Sequence, residues 1–215
     1  MSPAGSDVTA IDGRPLGQRA RATRRRLLDA TAEALESDGI LDLRVVEVAR
    51  KVGTSPATFY QYFANVEDAV LDLAAEAGEK ILELVPLVDQ PWTTVRALDL
   101  ARALVDGFIT QWDLNRAVLR TRDMAAQEGD ARFRHVRNQS LSHLTDRLAE
   151  RVADNQRAGR VSPELTPYAA ASAMVAMMSR MAAYHYEFED RGVSRAAMVE
   201  TVSRILFQTV TGRRV

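Results

Sequence analysis

The sequence predicts an all-α protein in two parts: an N-terminal three-helix unit and a larger C-terminal helical body, about nine helices in all. Three observations predict it. Apolar residues recur at three- and four-residue intervals, and alternating β-branched runs are almost absent, so no sheet is expected. Alanine, leucine and arginine dominate the 215 residues, and all three favour helix. Glycine or proline closes nearly every periodic segment, as at Gly39, Gly53, Pro86, Gly129, Gly159, Gly192 and Gly212.

The elements follow in order. Residues 1–17, rich in Gly, Pro, Ser and Asp, read as a disordered lead. A first helix over 23–37 carries Leu27, Leu28, Thr31, Ala34 and Leu35 on one side, and Gly39 ends it. Val45, Val48, Ala49 and Val52 form the apolar face of a second helix. Gly53 stops it, because glycine enters the left-handed C′ conformation without steric cost. Ser55 fits an N-cap and Pro56 the first position of a third helix. Phe59 and Phe63 share its buried side; Thr58, Gln61 and Tyr62 project outward, with Tyr60 at the border. Asn65 caps a fourth helix running to about 84, with Val70, Leu73, Ala74, Ala77, Ile81 and Leu84 inward. Pro86 and Pro91 mark the boundary between the parts.

Five further helices are predicted over 93–112, 116–128, 131–158, 167–190 and 194–211. Leu100, Leu104, Phe108 and Trp112 stripe the first of these. Phe133, Val136, Leu141, Leu144, Leu148 and Val152 stripe the third. Residues 169–178 are apolar nearly all round, which requires cover on more than one side. The last helix presents Met198, Val202, Ile205, Leu206 and Val210.

Two short helices joined at Gly53 form a helix-turn-helix, a shape that sets one helix in the major groove of DNA. The groups on the second helix can donate to phosphate and base edges and pack on thymine methyls. A small αα-hairpin with a solvated face fits the same residues. Between Arg14 and Arg26 lie six arginines (14, 19, 21, 24, 25 and 26) and no acid. That run suits phosphate attraction or minor-groove insertion by a mobile arm; a solubilising tail is the bland alternative. The whole chain has 28 basic and 29 acidic residues, net charge −1, so it does not coat nucleic acid uniformly.

The first ~70 residues resemble the DNA-binding domain of the tetracycline-repressor (TetR) family. The likeness rests on Thr23-Arg24-Arg25-Arg26-Leu27-Leu28-Asp29-Ala30, on Val48-Ala49-Arg50-Lys51-Val52-Gly53-Thr54-Ser55, and most specifically on Ala57-Thr58-Phe59-Tyr60-Gln61-Tyr62-Phe63. The family pattern of proline, serine and lysine after the recognition helix is replaced by Ala64, Asn65 and Val66. Its threonine pair at the second helix is replaced by Leu43 and Arg44, so Arg44 is a candidate phosphate contact and Asp42 a candidate cap. The resemblance implies a domain plan of 18–64 for DNA binding, 65–85 as connecting helix and 86–215 for effector binding and dimerisation. DNA contacts are expected from Arg24, Arg25, Arg44, Ser55, Pro56, Ala57, Thr58, Tyr60, Gln61 and Tyr62.

It further implies a homodimer through the last two helices (167–211), a near-palindromic operator in double-stranded DNA, and a small-molecule effector enclosed by the C-terminal helices. Leu104, Phe108, Trp112, Met124, Leu141, Met174, Met178 and Tyr184 are candidates to line that cavity, favouring an apolar effector such as an acyl chain or an aromatic molecule. Arg120, Arg122, Asn138 and His185 are its candidate polar contacts. A closed core is the competing reading of the same residues.

The absence of cysteine excludes disulfides and thiolate chemistry. His135, His143 and His185 lack the i, i+4 spacing of a helical metal pair, and no phosphate loop or nucleophile elbow occurs. No catalytic residue, metal or cofactor is therefore expected. No apolar run reaches the ~20 residues of a membrane span, and no secretory signal is visible, which predicts a cytoplasmic protein. The alternative to a regulator is a helical small-molecule-binding or enzymatic protein without sequence-specific DNA binding.

Overall fold

A computed structural model describes residues 14–92 and 96–213. Among them it contains ten helices: α1 (Gln18–Asp38), α2 (Val45–Val52), α3 (Pro56–Phe59), α4 (Val66–Leu82), α5 (Val85–Asp89), α6 (Arg96–Leu114), α7 (Arg116–Gln127), α8 (Ala131–Arg157), α9 (Pro167–Glu189) and α10 (Arg195–Thr211). No strand occurs among the described residues. Of the lead expected over 1–17, residues 1–13 lie outside the described part.

Four local outcomes differ from expectation. The first helix starts at Gln18 rather than at 23, so Arg19 and Arg21 are helical and not part of an arm. Alternating Arg and Ala, both good helix formers, extend it. The third helix is one turn, Pro56–Phe59, followed by turns through Tyr62. Pro86, expected to end a helix, instead sits in the first turn of α5. Proline is tolerated there because the first N–H groups of a helix have no intrahelical partner. The expected Asp42 cap is also absent: Arg44 is the N-cap residue of α2, with no side-chain capping bond.

The chain forms two compact units. Of the described residues, the first combines 14–75 with 117–134, the second 76–92, 96–116 and 135–213. In the first, Leu27, Leu28, Leu35, Val48, Ala49, Val52, Phe59, Phe63 and Val70 are buried together with Thr31. The Thr31 hydroxyl donates to the Leu27 carbonyl at 2.8 Å, which removes the cost of an unpaired buried donor. Asn65 caps α4 as expected, its Oδ1 accepting from the Asp68 N–H at 2.8 Å.

In the second unit α6 packs against both α9 and α10. Its core comprises Leu104, Phe108, Ile109 and Trp112 of α6, Leu144 and Leu148 of α8, Met174 and Met178 of α9, and Met198 and Leu206 of α10. Gly78 of α4 meets α8 so closely that a Cβ there would lie 2.0 Å from the Ser140 hydroxyl oxygen, so only glycine fits. Arg102 of α6 clasps Glu200 of α10 bidentately, at 2.7 and 3.0 Å, and with Arg204 holds that carboxyl down at about 2.

A polar cluster joins four helices of this unit. His185 of α9 is buried, and its Nε2 lies 2.8 Å from Asp113 Oδ1 of α6. The same Nε2 lies 3.1 Å from Arg116 Nη2, so it stands between a carboxylate that only accepts and a guanidinium that only donates. Nδ1 is left without a hydrogen-bond partner, 3.5 Å from Glu189 Oε1. Arg116 of α7 and Arg195 of α10 also pair with Asp113, at 2.5 and 3.1 Å. Burial of Asp113 opposes its charge, but the hydrogen bonds from His185 and Arg116 outweigh it and hold the carboxyl below its ordinary value of 3.8.

Two outcomes follow. Phe59→Ala should remove about 3–5 kcal/mol, as expected for a buried phenylalanine; a thermal melt of the first unit unchanged by the substitution would show that Phe59 is not a core residue. Asp113 has a folded value below its unfolded one, so its stabilisation is full above about pH 3.8 and declines as pH falls through the depressed value. Asp113→Asn should therefore lower Tm at neutral pH, with the gap to the parent protein narrowing in melts below about pH 4.

Candidate nucleic-acid interface

The reading segment is built by three local devices. Gly53 takes a left-handed conformation (φ 72°, ψ 37°) at the end of α2. Its N–H bonds the Arg50 carbonyl at 3.0 Å and the Thr54 N–H bonds the Ala49 carbonyl at 2.9 Å, closing a Schellman motif. Ser55 then caps α3, its Oγ accepting from the Thr58 N–H at 3.3 Å, and Pro56 follows in the first turn. Beyond Phe59 the backbone tightens: Gln61 N–H reaches the Thr58 carbonyl at 3.3 Å and Tyr62 N–H the Phe59 carbonyl at 2.9 Å.

Two aromatic rings seat this segment. Phe59 and Phe63 are buried with centroids 5.2 Å apart, and Tyr60 meets the Phe59 edge at 5.9 Å in a T-shaped contact. Ser55, Ala57, Tyr60 and Gln61 are exposed, and Pro56, Thr58 and Tyr62 half-buried. Tyr60 is 52% exposed, so it faces out more fully than its expected border position, while Tyr62 is less open than expected. The Thr58 hydroxyl is 3.2 Å from Ser55 Oγ. Arg44, at the start of α2, is exposed.

The arginines of α1 divide by partner. Arg25 is exposed and pairs with Asp29 one turn on, at 2.8 Å. Arg24 pairs instead with Asp72 of α4, and its guanidinium stands 5.1 Å from the Phe63 ring centroid. Arg26 donates to the Val52 carbonyl, a group at the end of α2 with no intrahelical partner. These two internal braces were not legible in the sequence, because Asp72 and Val52 are distant along the chain.

The candidate effector residues do not share one environment. Leu104, Phe108, Trp112, Met174 and Met178 are buried in the second unit and Leu141 is half-buried. Tyr184 is exposed, with Arg180 3.6 Å over its ring. Met124 is exposed and belongs to the first unit. It falls on the side of α7 opposite the buried Val118, Leu119, Arg122 and Ala126, beside the buried Thr121. Met124 and Tyr184 are thus surface side chains and not members of the apolar lining expected of them.

Of the candidate polar contacts, Arg120 and Asn138 are exposed. Arg122 is buried and bonds Asp123 at 2.8 Å, and His185 belongs to the Asp113 cluster. No group of three or more metal-ligating side chains occurs among the described residues.

Two family models match the chain. Residues 27–73 match "Bacterial regulatory proteins, tetR family", and residues 82–215 match "Tetracyclin repressor-like, C-terminal domain". An uncharacterized HTH-type transcriptional regulator of Haemophilus influenzae is 29% identical over 137 residues, covering 61% of this chain and 63% of the relative. The HTH-type regulator BetI of Escherichia coli is 26% identical over 101 residues, covering 45% and 50%. The chain thus spans about three fifths and one half of these two relatives.

Among solved structures, a tetR-family regulatory protein from Rhodococcus RHA1 superposes with a TM-score of 0.67 at 18% identity, over 87% of this chain and 96% of that one. The regulator FadR of Bacillus subtilis, in complex with stearoyl-CoA, gives 0.65 at 15% identity over 86% and 98%. At such identities these likenesses speak for the fold. The model spanning 82–215 covers more than half of the 215 residues, and with the helix-turn-helix model before it the conclusion is direct: the chain belongs to the tetracycline-repressor family of bacterial regulatory proteins.

Proposed function

We propose that the protein is a ligand-responsive transcription repressor that binds a near-palindromic operator as a homodimer and leaves it when a small, apolar effector binds. The observation that carries this reading is the segment after Gly53: its backbone is anchored by buried Phe59 and Phe63, while Ala57, Tyr60 and Gln61 face solvent. Gln61 offers a bidentate amide for a base edge, and Ala57 apolar area for a thymine methyl. Arg44 and Arg25 supply phosphate charge, and Thr58 and Tyr62 add hydroxyl donors.

A second copy is supported by what α9 and α10 leave uncovered. Ala169, Ala173 and Ala176 are exposed along α9, and Thr201, Ile205 and Gln208 along α10. Small residues at helical spacing let a facing backbone approach closely. A twofold pairing would set two reading segments about one DNA turn, ~34–36 Å, or a multiple apart. The effector class follows from the apolar side chains of α6 and α9, Leu104, Phe108, Trp112, Met174 and Met178. The B. subtilis FadR neighbour, solved with stearoyl-CoA, supports a long acyl group. Binding would release DNA only through a higher affinity for the DNA-incompetent state. No described helix is long and apolar enough to cross a membrane, and a DNA partner supports a cytoplasmic location.

A gel shift with the DNA upstream of the protein's own gene should show a complex that fades when acyl-CoA is added; no shift of any selected duplex would overturn the reading. Arg44→Ala should reduce the slope of log K against log salt by ~1, and an unaltered slope removes Arg44 from the phosphate contacts. Ala173→Glu should yield a folded monomer in sedimentation that no longer binds the two half-sites together; a dimer of unchanged affinity would move the interface off α9.

A further inference from the structure

Arg24 sits in the basic run of α1, yet its side chain is only 18% exposed. Its guanidinium has two engagements at once. One nitrogen pairs with the carboxylate of Asp72 on α4, and the central carbon lies 5.1 Å from the Phe63 centroid. Phe63 stacks on Phe59, and Phe59 on Tyr60, so one run of contacts leads from Arg24 to the exposed ring of the reading segment.

The ion pair is not a large source of stability. Asp72 is 40% exposed, and pairs open to water are worth little. Its effect is geometric. A guanidinium held by a carboxylate and an aromatic ring at once is confined in orientation, and the point charge of lysine does not reproduce that pair of contacts. Arg26 acts alongside it by satisfying the Val52 carbonyl where α2 ends. The two arginines thus tie α1 to both flanks of the reading segment: the end of α2 before it and α4 after it.

We propose that Arg24 is a positioning residue for sequence reading: by bridging Asp72 and Phe63 it sets the angle at which the segment 57–62 meets a base edge, and it is not itself a phosphate contact. This rests on the DNA-reading function proposed above.

The test uses the full chain and four proteins: the parent, Arg24→Gln, Arg24→Lys, and the exchange of Arg24→Asp with Asp72→Arg. The probes are the duplex that the parent enriches from a random-sequence pool and a scrambled duplex of equal length. Both single variants should lose roughly 2- to 30-fold in affinity for the enriched duplex, the range expected when a packed side chain acts at a distance. Their affinity for the scrambled duplex and their salt slope should match the parent, and the exchange should recover part of the loss. A slope reduced by ~1 in Arg24→Gln, with Lys retaining parent binding, makes Arg24 a phosphate contact and overturns the proposal. So do single variants indistinguishable from the parent on the enriched duplex.

Should the parent enrich no duplex, the DNA-reading function fails by itself. The amide resonances of residues 57–63 in the free protein then decide the positioning role. They must move in both single variants and return towards the parent in the exchange; unmoved resonances overturn it.

Discussion

The burial of two phenylalanine rings is the constraint on which the reading surface depends. α3 has four residues, too few for its own hydrogen bonds to hold it, because helix nucleation is costly and one turn gains almost no propagation. What keeps Pro56–Phe59 helical is the Ser55 cap on one side and the loss of water from Phe59 and Phe63 on the other. Each ring contributes on the order of 2–3 kcal/mol from burial alone, more than the cap's ~1. The exposed groups at 57, 60 and 61 inherit their direction from those rings. The surface is therefore rigid because its underside is core, which is what a binder needs to avoid an ordering cost at the moment of contact.

Much of this was legible in the sequence, for reasons that are local. Gly53, Ser55, Pro56 and Asn65 each act within a few residues, so their roles as stop, cap, first position and cap could be read from type and order. The apolar stripes of α1, α4, α6 and α8 were visible because a long helix repeats its period many times. Where the period is short-lived, the reading failed by a rotation. After Phe59 the Gln61 and Tyr62 N–H groups bond three residues back, and such a turn advances about 120° per residue instead of 100°. That turns Tyr60 outward and Tyr62 inward relative to a regular helix. Pro86 shows a different ambiguity: the same ring that ends one helix suits the opening of the next.

What was not legible is pairing over distance. Nothing near Arg24 or Arg26 in the chain distinguishes them from Arg25, yet the first two reach partners far along the chain and the third pairs within its own helix. Met124 and Tyr184 failed as cavity candidates for a related reason. An apolar or aromatic type signals burial only on average, and the neighbours of α7 place Met124 on its outer side. His185 was considered for an effector and is instead committed to Asp113, within a cluster that draws on α6, α7, α9 and α10.

The charge on α1 has a further consequence. Its first turn contains no acid, its N-cap Gly17 offers no side-chain acceptor, and five arginines follow between 19 and 26. Positive charge at a helix N-terminus opposes the macrodipole, which favours anions there. Asp29, Asp72 and the Val52 carbonyl relieve the inner part of that conflict from within the protein. Because Asp72 is a protein group, the charge of Arg24 is offset whether or not DNA is present, whereas the Val52 carbonyl holds Arg26 without cancelling its charge. Arg24 then gives little counterion-release gain on binding, so the number of arginines in the run overstates the electrostatic affinity it can supply. Phosphate attraction must then come mainly from exposed positions such as Arg44 and Arg25, while Arg24 and Arg26 act through geometry. A reading head so divided gains less from non-specific contact with any duplex and proportionally more from the fit of its exposed face, which favours discrimination between sequences over bulk affinity.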